Sequence, residues 1–297
     1  MAVSIREGSV DDIAAAARLQ NEVYPTGVRT EAGLRHRLLG SPPEARRTWW
    51  AGSDGDTLVA FATAGVDYET SARSGYLNVA VLPSHRGRGI GTTLLECGLA
   101  HLENSSRIQA GVVEAGRSFA ERHGFRHTHT SRVSGVDPRA VDTAELDSTR
   151  TRIVSLRDVG PEQTFAVDAE SVLDEPGDDD IDALEYEQWV RDYWNHPDFD
   201  FDTGRAAVVD GEAVAVAYVI VDPPSRRAFN AYTGTLRAYR GRGLARLAKL
   251  GVIRRLAELE IASVLTENDE TNAPMLAIND RLGYRPIENR YAYILDR

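Results

Sequence analysis

The stretch Arg86-Gly87-Arg88-Gly89-Ile90-Gly91 occurs twice in this chain, returning as Arg240-Gly241-Arg242-Gly243-Leu244-Ala245. Each copy follows an apolar, β-prone run, Tyr76 to Leu82 in one case and Ala231 to Leu236 in the other. Each opens a segment with apolar residues at helical spacing: Ile90, Leu94, Leu95, Leu99 and Leu102, then Leu244, Leu247, Ala248, Val252, Leu256 and Leu259. The pattern predicts a strand, a glycine-rich turn and a helix N-terminus, twice over. Glycine lets backbone N–H groups approach a ligand with no Cβ in the way. The first turn of a helix adds N–H donors without intrahelical partners, at the positive end of the dipole. Together they predict an anion cradle suited to a pyrophosphate.

Two familiar glycine loops do not fit. A dinucleotide fingerprint needs Gly-x-Gly-x-x-Gly in the first strand–helix unit, and here the spacing is Gly87, Gly89, Gly91 with Thr92 at the third fingerprint position. A Walker loop needs Gly-Lys-Ser/Thr, which is absent. What remains is Arg-x-x-Gly-x-Gly/Ala, preceded by Val79-Ala80-Val81-Leu82-Pro83-Ser84-His85 and by Thr233-Gly234-Thr235-Leu236-Arg237-Ala238-Tyr239. With these residues the sequence resembles the GNAT superfamily of acyl-CoA-dependent N-acetyltransferases, in a tandem two-domain form. The resemblance implies acetyl-CoA as cofactor. It places the contacts at Val79, Ala80, Val81, Arg86, Gly87, Arg88, Gly89, Ile90, Gly91 and Thr92 in the first copy. In the second it places them at Gly234, Thr235, Leu236, Arg240, Gly241, Arg242, Gly243, Leu244, Ala245 and Arg246.

Self-comparison extends the repeat. Asp54-Gly55 and Asp210-Gly211 read as hairpin turns, and Gly124-Phe125 pairs with Gly283-Tyr284, all at an interval of about 155 residues. The apolar patterning predicts for the first copy a strand, two helices, three strands, the loop and its helix, then strand, short helix and strand; the second repeats that order. Ser9 reads as an N-cap before Asp11 and Asp12. Mixed strands and helices with hairpins exclude a pure doubly wound sheet. The fold class is α/β (α+β); the resemblance implies two tandem GNAT folds, each a mixed, mostly antiparallel sheet splayed at its middle and flanked by helices. The expected division is an N-terminal domain over 1–135, a polar linker over 136–150 and a C-terminal domain over 151–297.

Composition narrows the function. A net charge of −11 argues against nucleic acid or an anionic membrane as partner, despite the two basic loops. The single cysteine allows no intramolecular disulfide. The N-terminus shows no signal-peptide pattern and no apolar run reaches membrane-spanning length, so a cytoplasmic location is expected. Cys97 reads as a packed thiol, one of Trp49 and Trp50 and one of Tyr291 and Tyr293 as core, and His123, His127 and His129 as no metal site, leaving no metal expected.

The GNAT resemblance implies an Asn that contacts the cofactor and a Tyr that protonates the leaving thiolate. Asn272 matches the first; Asn279 and Ala120 stand where the Tyr would be. The second copy therefore reads as the better equipped, and the first as degenerate, holding acyl-CoA without turnover or only buttressing the fold. A primary amine must shed a proton before attack, which takes about 4 kcal/mol at pH 7; Glu267 is the candidate base, and Tyr232 a candidate lining residue of the catalytic pocket. Each has a plain structural alternative, a solvated acid and a packed strand tyrosine. The acidic run Asp174, Glu175, Asp178, Asp179, Asp180, Asp182, Glu185 and Glu187 suits either a cationic acceptor or a solvated loop. The expected function is transfer of acetyl from acetyl-CoA to an amine of a small molecule, with a homodimer left open. The alternatives are a non-catalytic acyl-CoA sensor and a protein N-acetyltransferase.

Overall fold

The structure, a computed structural model, describes residues 3–68, 72–176 and 184–297. The elements run β1 (Ser4–Glu7), α1 (Ile13–Val23), α2 (Glu31–Leu39), β2 (Thr48–Asp54), β3 (Thr57–Val66), β4 (Gly75–Val81), α3 (Ile90–His101), β5 (Arg107–Val113), α4 (Arg117–Arg122) and β6 (Arg126–Val136). They continue with α5 (Glu145–Ser148), β7 (Arg152–Ser155), α6 (Leu156–Ser171), α7 (Tyr186–Trp189), β8 (Arg205–Val209) and β9 (Glu212–Asp222). The chain closes with β10 (Arg227–Thr235), α8 (Leu244–Glu258), β11 (Ser263–Asp269), α9 (Ala273–Arg281) and β12 (Arg285–Asp296).

Two units emerge, Met1–Thr130 with Asn289–Arg297, and Ser131–Glu288. The boundaries read from sequence are corrected in two places. The last strand belongs to the first unit: Arg290 to Asp296 of β12 pair antiparallel with Val113 to Arg107 of β5, and Tyr293 is fully buried there. The expected linker belongs to the second unit: β6 runs on to Val136 against β11, and Leu146 of α5 packs into the core beneath α8. Ion pairs Glu145–Arg246 and Asp147–Arg254 fix α5 on α8. A few apolar residues, Val136, Val141 and Leu146, set singly in a polar run, are enough to anchor it.

In the first unit the sheet order is β1-β2-β3-β4-β5-β12. The β4–β5 pair is parallel over Gly75–Tyr76 and Ile108–Gln109; its neighbours β3–β4 and β5–β12 are antiparallel. Beyond that short pairing the strands part, and α3 and α4 lie under the opening. The helices form where local chemistry starts them. Asp12 and Ser9 close a capping box ahead of α1, and Thr30 Oγ1 accepts from Gly33 N at the head of α2. Ile13, Ala16, Ala17 and Leu19 bury one face of α1 against Phe61 and Ala80.

The second unit repeats the plan as β6-β11-β10-β9-β8-β7. Its parallel pair, β10–β11, joins Arg227–Asn230 to Ser263–Thr266 and then parts. Here β10 has a bulge at Ala231 that β4 lacks, held by Asn230 Nδ2 donating to the carbonyls of Tyr218 and Tyr232 at 2.9 Å each. In α6 the helix bends at Gly160 (φ 82°), just before Pro161. The single turn of α7 continues as a π turn to Trp194. Of the acidic run, Asp178, Asp179, Asp180 and Asp182 lie outside the described residues.

Candidate active site

The first glycine loop is built as its residues require. Gly87 and Gly89 take φ of 76° and 81°, and Gly89 caps α3. A Cβ on either would meet nothing within 4 Å, so the space in front of the loop is open. Arg86 Nε donates to the Val81 carbonyl at 3.1 Å and Arg88 to that of Ser84 at 3.3 Å, so both side chains brace the turn. The N–H groups of Ile90, Gly91 and Thr92 head α3, the place where a helix leaves its donors to a ligand.

The loop opens into a cleft of about 400 Å³ between the parted ends of β4 and β5. Val79 and Val81 form one wall, Val112 the other, and Leu95, Phe119 and Phe125 the floor. This is an anion cradle joined to an apolar slot, a shape that fits the diphosphate and the largely aliphatic arm of coenzyme A. Of the residues expected to contact the cofactor, Val79, Val81, Arg86, Gly87, Gly89, Ile90, Gly91 and Thr92 line this cleft. The Ala80 side chain does not; strand alternation turns it to the other face, against α1. Nor does the Arg88 guanidinium line the slot.

Tyr24, just past α1, was missed from sequence. Its hydroxyl donates to the Val79 carbonyl at 3.3 Å inside the cleft, and the guanidiniums of Arg29 and Arg290 lie over its ring at 5.6 and 5.4 Å. Burial pushes the phenol up, and the two arginines pull against that. The signal available was an aromatic followed by Pro25 and Arg29 at the end of the first helix. The arginine of that pair is near in sequence; the other comes from β12 and could not be read locally. Beside the cleft, Tyr291 Oη donates to Glu114 Oε2 at 2.6 Å, with Arg117 over the tyrosine ring at 4.4 Å. The tyrosine hydroxyl, first, then the arginine hold the Glu114 carboxyl below its ordinary range.

In the second unit the loop has the same conformation, with Gly241 and Gly243 both at φ 76° and Arg240 Nε on the Thr235 carbonyl. The other expected residues are otherwise engaged. Asn272 Oδ1 caps α9 by accepting from Met275 N at 3.2 Å. Arg246 is ion-paired with Glu145, and Arg242 lies over the Tyr239 ring. Gly234 faces α6, where a Cβ would fall 2.1 Å from Ser171 Oγ. Leu236 packs in the cores, and Leu244 is buried beneath the loop; Ala245 opens the helix.

Tyr232, half-buried, packs beside Tyr218 with its hydroxyl 2.7 Å from Ser171 Oγ. Burial, and then the charge of Asp168, push it well up. Glu267 is exposed on β11, opposite Val133. Strand alternation places it on the same sheet face as Tyr232. Deeper in that unit the Asp168 carboxylate accepts from Trp189 Nε1 at 2.8 Å and Tyr218 Oη at 2.7 Å; burial raises its pKa. The cleft described above lies in the first unit.

Residues 13–125 match the acetyltransferase (GNAT) family. Among curated proteins, the chain is 26% identical over 294 residues to a mycothiol acetyltransferase of Nocardioides sp., covering 93% of this chain and 92% of that one. It is 26% identical over 250 residues to a mycothiol acetyltransferase of Saccharomonospora viridis, covering 80% and 79%. Among solved structures, a tandem GNAT protein from the clavulanic acid biosynthesis pathway superposes with a TM-score of 0.72 at 21% identity, over 99% of this chain and 98% of that one. A GCN5-related N-acetyltransferase from Sphaerobacter thermophilus gives 0.71 at 17%, over 99% and 95%. Among the described residues no helix is long and apolar enough to cross a membrane. Residues 13–125 thus carry the GNAT acetyltransferase match, and the chain as a whole is similar in fold to tandem GNAT proteins.

Proposed function

We propose that this protein moves an acetyl group from acetyl-CoA to an amine of a small molecule, with acetyl-CoA held by the first unit. The observation that carries the reading is the glycine-lined head of α3 opening directly into the apolar slot between β4 and β5. The N–H groups and dipole of α3 would hold the diphosphate, and Val79, Val81, Leu95 and Phe119 would bury the aliphatic arm. Acetyl-CoA supplies the activated thioester. The chain aligns amine and carbonyl, which alone is worth several orders of magnitude in rate. As the N–C bond forms and the C–S bond breaks, Tyr24 Oη stands inside the slot to give its proton to the departing thiolate, and the proton the amine sheds, passed through water, restores the phenol. The relatives' printed names support a small-molecule acceptor.

The test is calorimetry with acetyl-CoA, followed by thiol release with a panel of amines. Saturable binding and amine-dependent thiol release are expected. Binding with no turnover on any amine leaves a sensor in place of an enzyme; acetylated peptides, found by mass spectrometry, would move the acceptor to protein. No binding by natively folded protein overturns the reading.

A further inference from the structure

The two units hold equivalent positions around the parted strands and fill them with opposite chemistry. Matched backbone contacts fix the equivalence. Arg86 and Arg240 each donate Nε to the carbonyl of Val81 or Thr235. Phe125 N bonds Ala120 O at 3.1 Å, as Tyr284 N bonds Asn279 O at 3.0 Å. Leu95 and Lys249 lie at the same step past the glycines that cap α3 and α8. In the first unit Val81, Leu95, Ala120 and Phe125 all line the cleft. In the second the four are Thr235, Lys249, Asn279 and Tyr284, every one polar.

These polar groups are buried and short of partners. Lys249, the only lysine in the chain, is 1% exposed, Asn279 2% and Tyr284 1%. Asn279 Nδ2 donates to Asn268 Oδ1 at 2.6 Å, but Asn279 Oδ1 and Thr235 Oγ1 are buried with no hydrogen-bond partner among the described residues. Lys249 Nζ stands 5.2 Å from the centre of the Tyr284 ring, its one partner among the described residues. Buried polar groups are as a rule paired. Two buried oxygens without partners, and a buried amine held only by a ring, at the positions equivalent to the first unit's cleft lining, point to a ligand that pairs them. Burial draws the Lys249 amine down to about 7, so an anion beside it would restore its charge. The loop differs too. Asp174 binds Arg237 and Arg240 at 2.8 and 2.7 Å, so a diphosphate there would compete with a carboxylate. Arg86 has no ion pair among the described residues.

We propose that the opening between β10 and β11 is a site for a carboxylate carrying a hydrogen-bond donor close by, and that it does not take acetyl-CoA. Lys249 opposes the charge, Asn279 Oδ1 accepts from the donor, and Thr235 Oγ1 bonds either. A free hydroxy acid carries that chemistry, and it brings no diphosphate to the loop that Asp174 occupies. The inference rests on the first unit's reading only for the contrast between the floors.

Calorimetry on the full chain tests it. Acetyl-CoA is expected to bind once per chain; two equal equivalents overturn the proposal. With acetyl-CoA in excess, L-malate is titrated and is expected to bind saturably; silence at millimolar concentration overturns the site. The double variant Lys249→Leu with Asn279→Ala copies the first unit's floor, and should weaken malate binding at least tenfold; unchanged affinity overturns the residue assignment. Malate binding without any acetyl-CoA binding would refute the function proposed above and leave this site standing. The reverse result would refute the site alone.

Discussion

Tyr24→Phe keeps the ring between its two arginines and removes only the hydroxyl. If that hydroxyl protonates the thiolate, kcat falls tenfold or more, while the affinity for acetyl-CoA measured by calorimetry stays within about twofold. A drop in affinity with kcat intact would make Tyr24 a wall of the slot and no more. Gly89→Val acts differently. At φ 81° a β-branched residue is strained, by roughly 1–2 kcal/mol or more, and its methyls stand in the open space before the helix. Acetyl-CoA affinity should fall at least tenfold, whereas Gly243→Val, equally strained at φ 76°, should leave it in place. At Asp168, replacement by Leu strands the Trp189 indole N–H and the Tyr218 hydroxyl. Two buried donors unpaired cost about 2–6 kcal/mol. Asp168→Asn keeps an acceptor and should lose much less, as read from urea unfolding.

At the scale of elements, the exchange of β12 makes a sharper demand. Its residues cover β5 along seven register positions and bring the buried Tyr293 to the first unit's core. A chain ending at Glu288 should therefore lose cooperative unfolding of the first unit and its acetyl-CoA binding, while residues of the second keep their transition. The loops, hairpins and helix order were legible because each is local: Asp54-Gly55, the Gly87–Gly91 turn and the spacing of α8 need only neighbours in sequence. The exchange was not, since nothing within Arg285–Asp296 says which sheet edge it joins; the repeat suggested its own copy. Leu146 and Val141 carried too little apolar weight to outvote their polar neighbours, so α5 read as linker. The cradle residues were legible from glycine spacing. The partners of Asn272 and Arg246 were not, because a cap and an ion pair with Glu145 satisfy the same side chains that a ligand would.

For the molecule as a whole, pH should act through Lys249. The unfolded chain takes up its proton below about 10.5, and the native chain only below about 7. Across that window the unfolded state holds the extra proton, so this residue's contribution to stability rises with pH, by about tenfold in the folding equilibrium per unit, and is flat below about 7. Comparing urea midpoints of the wild type and Lys249→Met from pH 7 to 10 isolates the slope; parallel curves would show that the amine stays charged when buried. The paired acid Asp12, held at about 2 by Arg6, works in the opposite range. Its stabilisation is complete above the ordinary carboxylate pKa and fades as pH falls through about 2.

Because β12 follows the whole second unit in the chain yet covers β5 of the first, translation cannot release a finished N-terminal half. The ribosome must deliver the codons of β12 before that half can close. A gene cut between the duplicated halves would leave β5 with a raw edge.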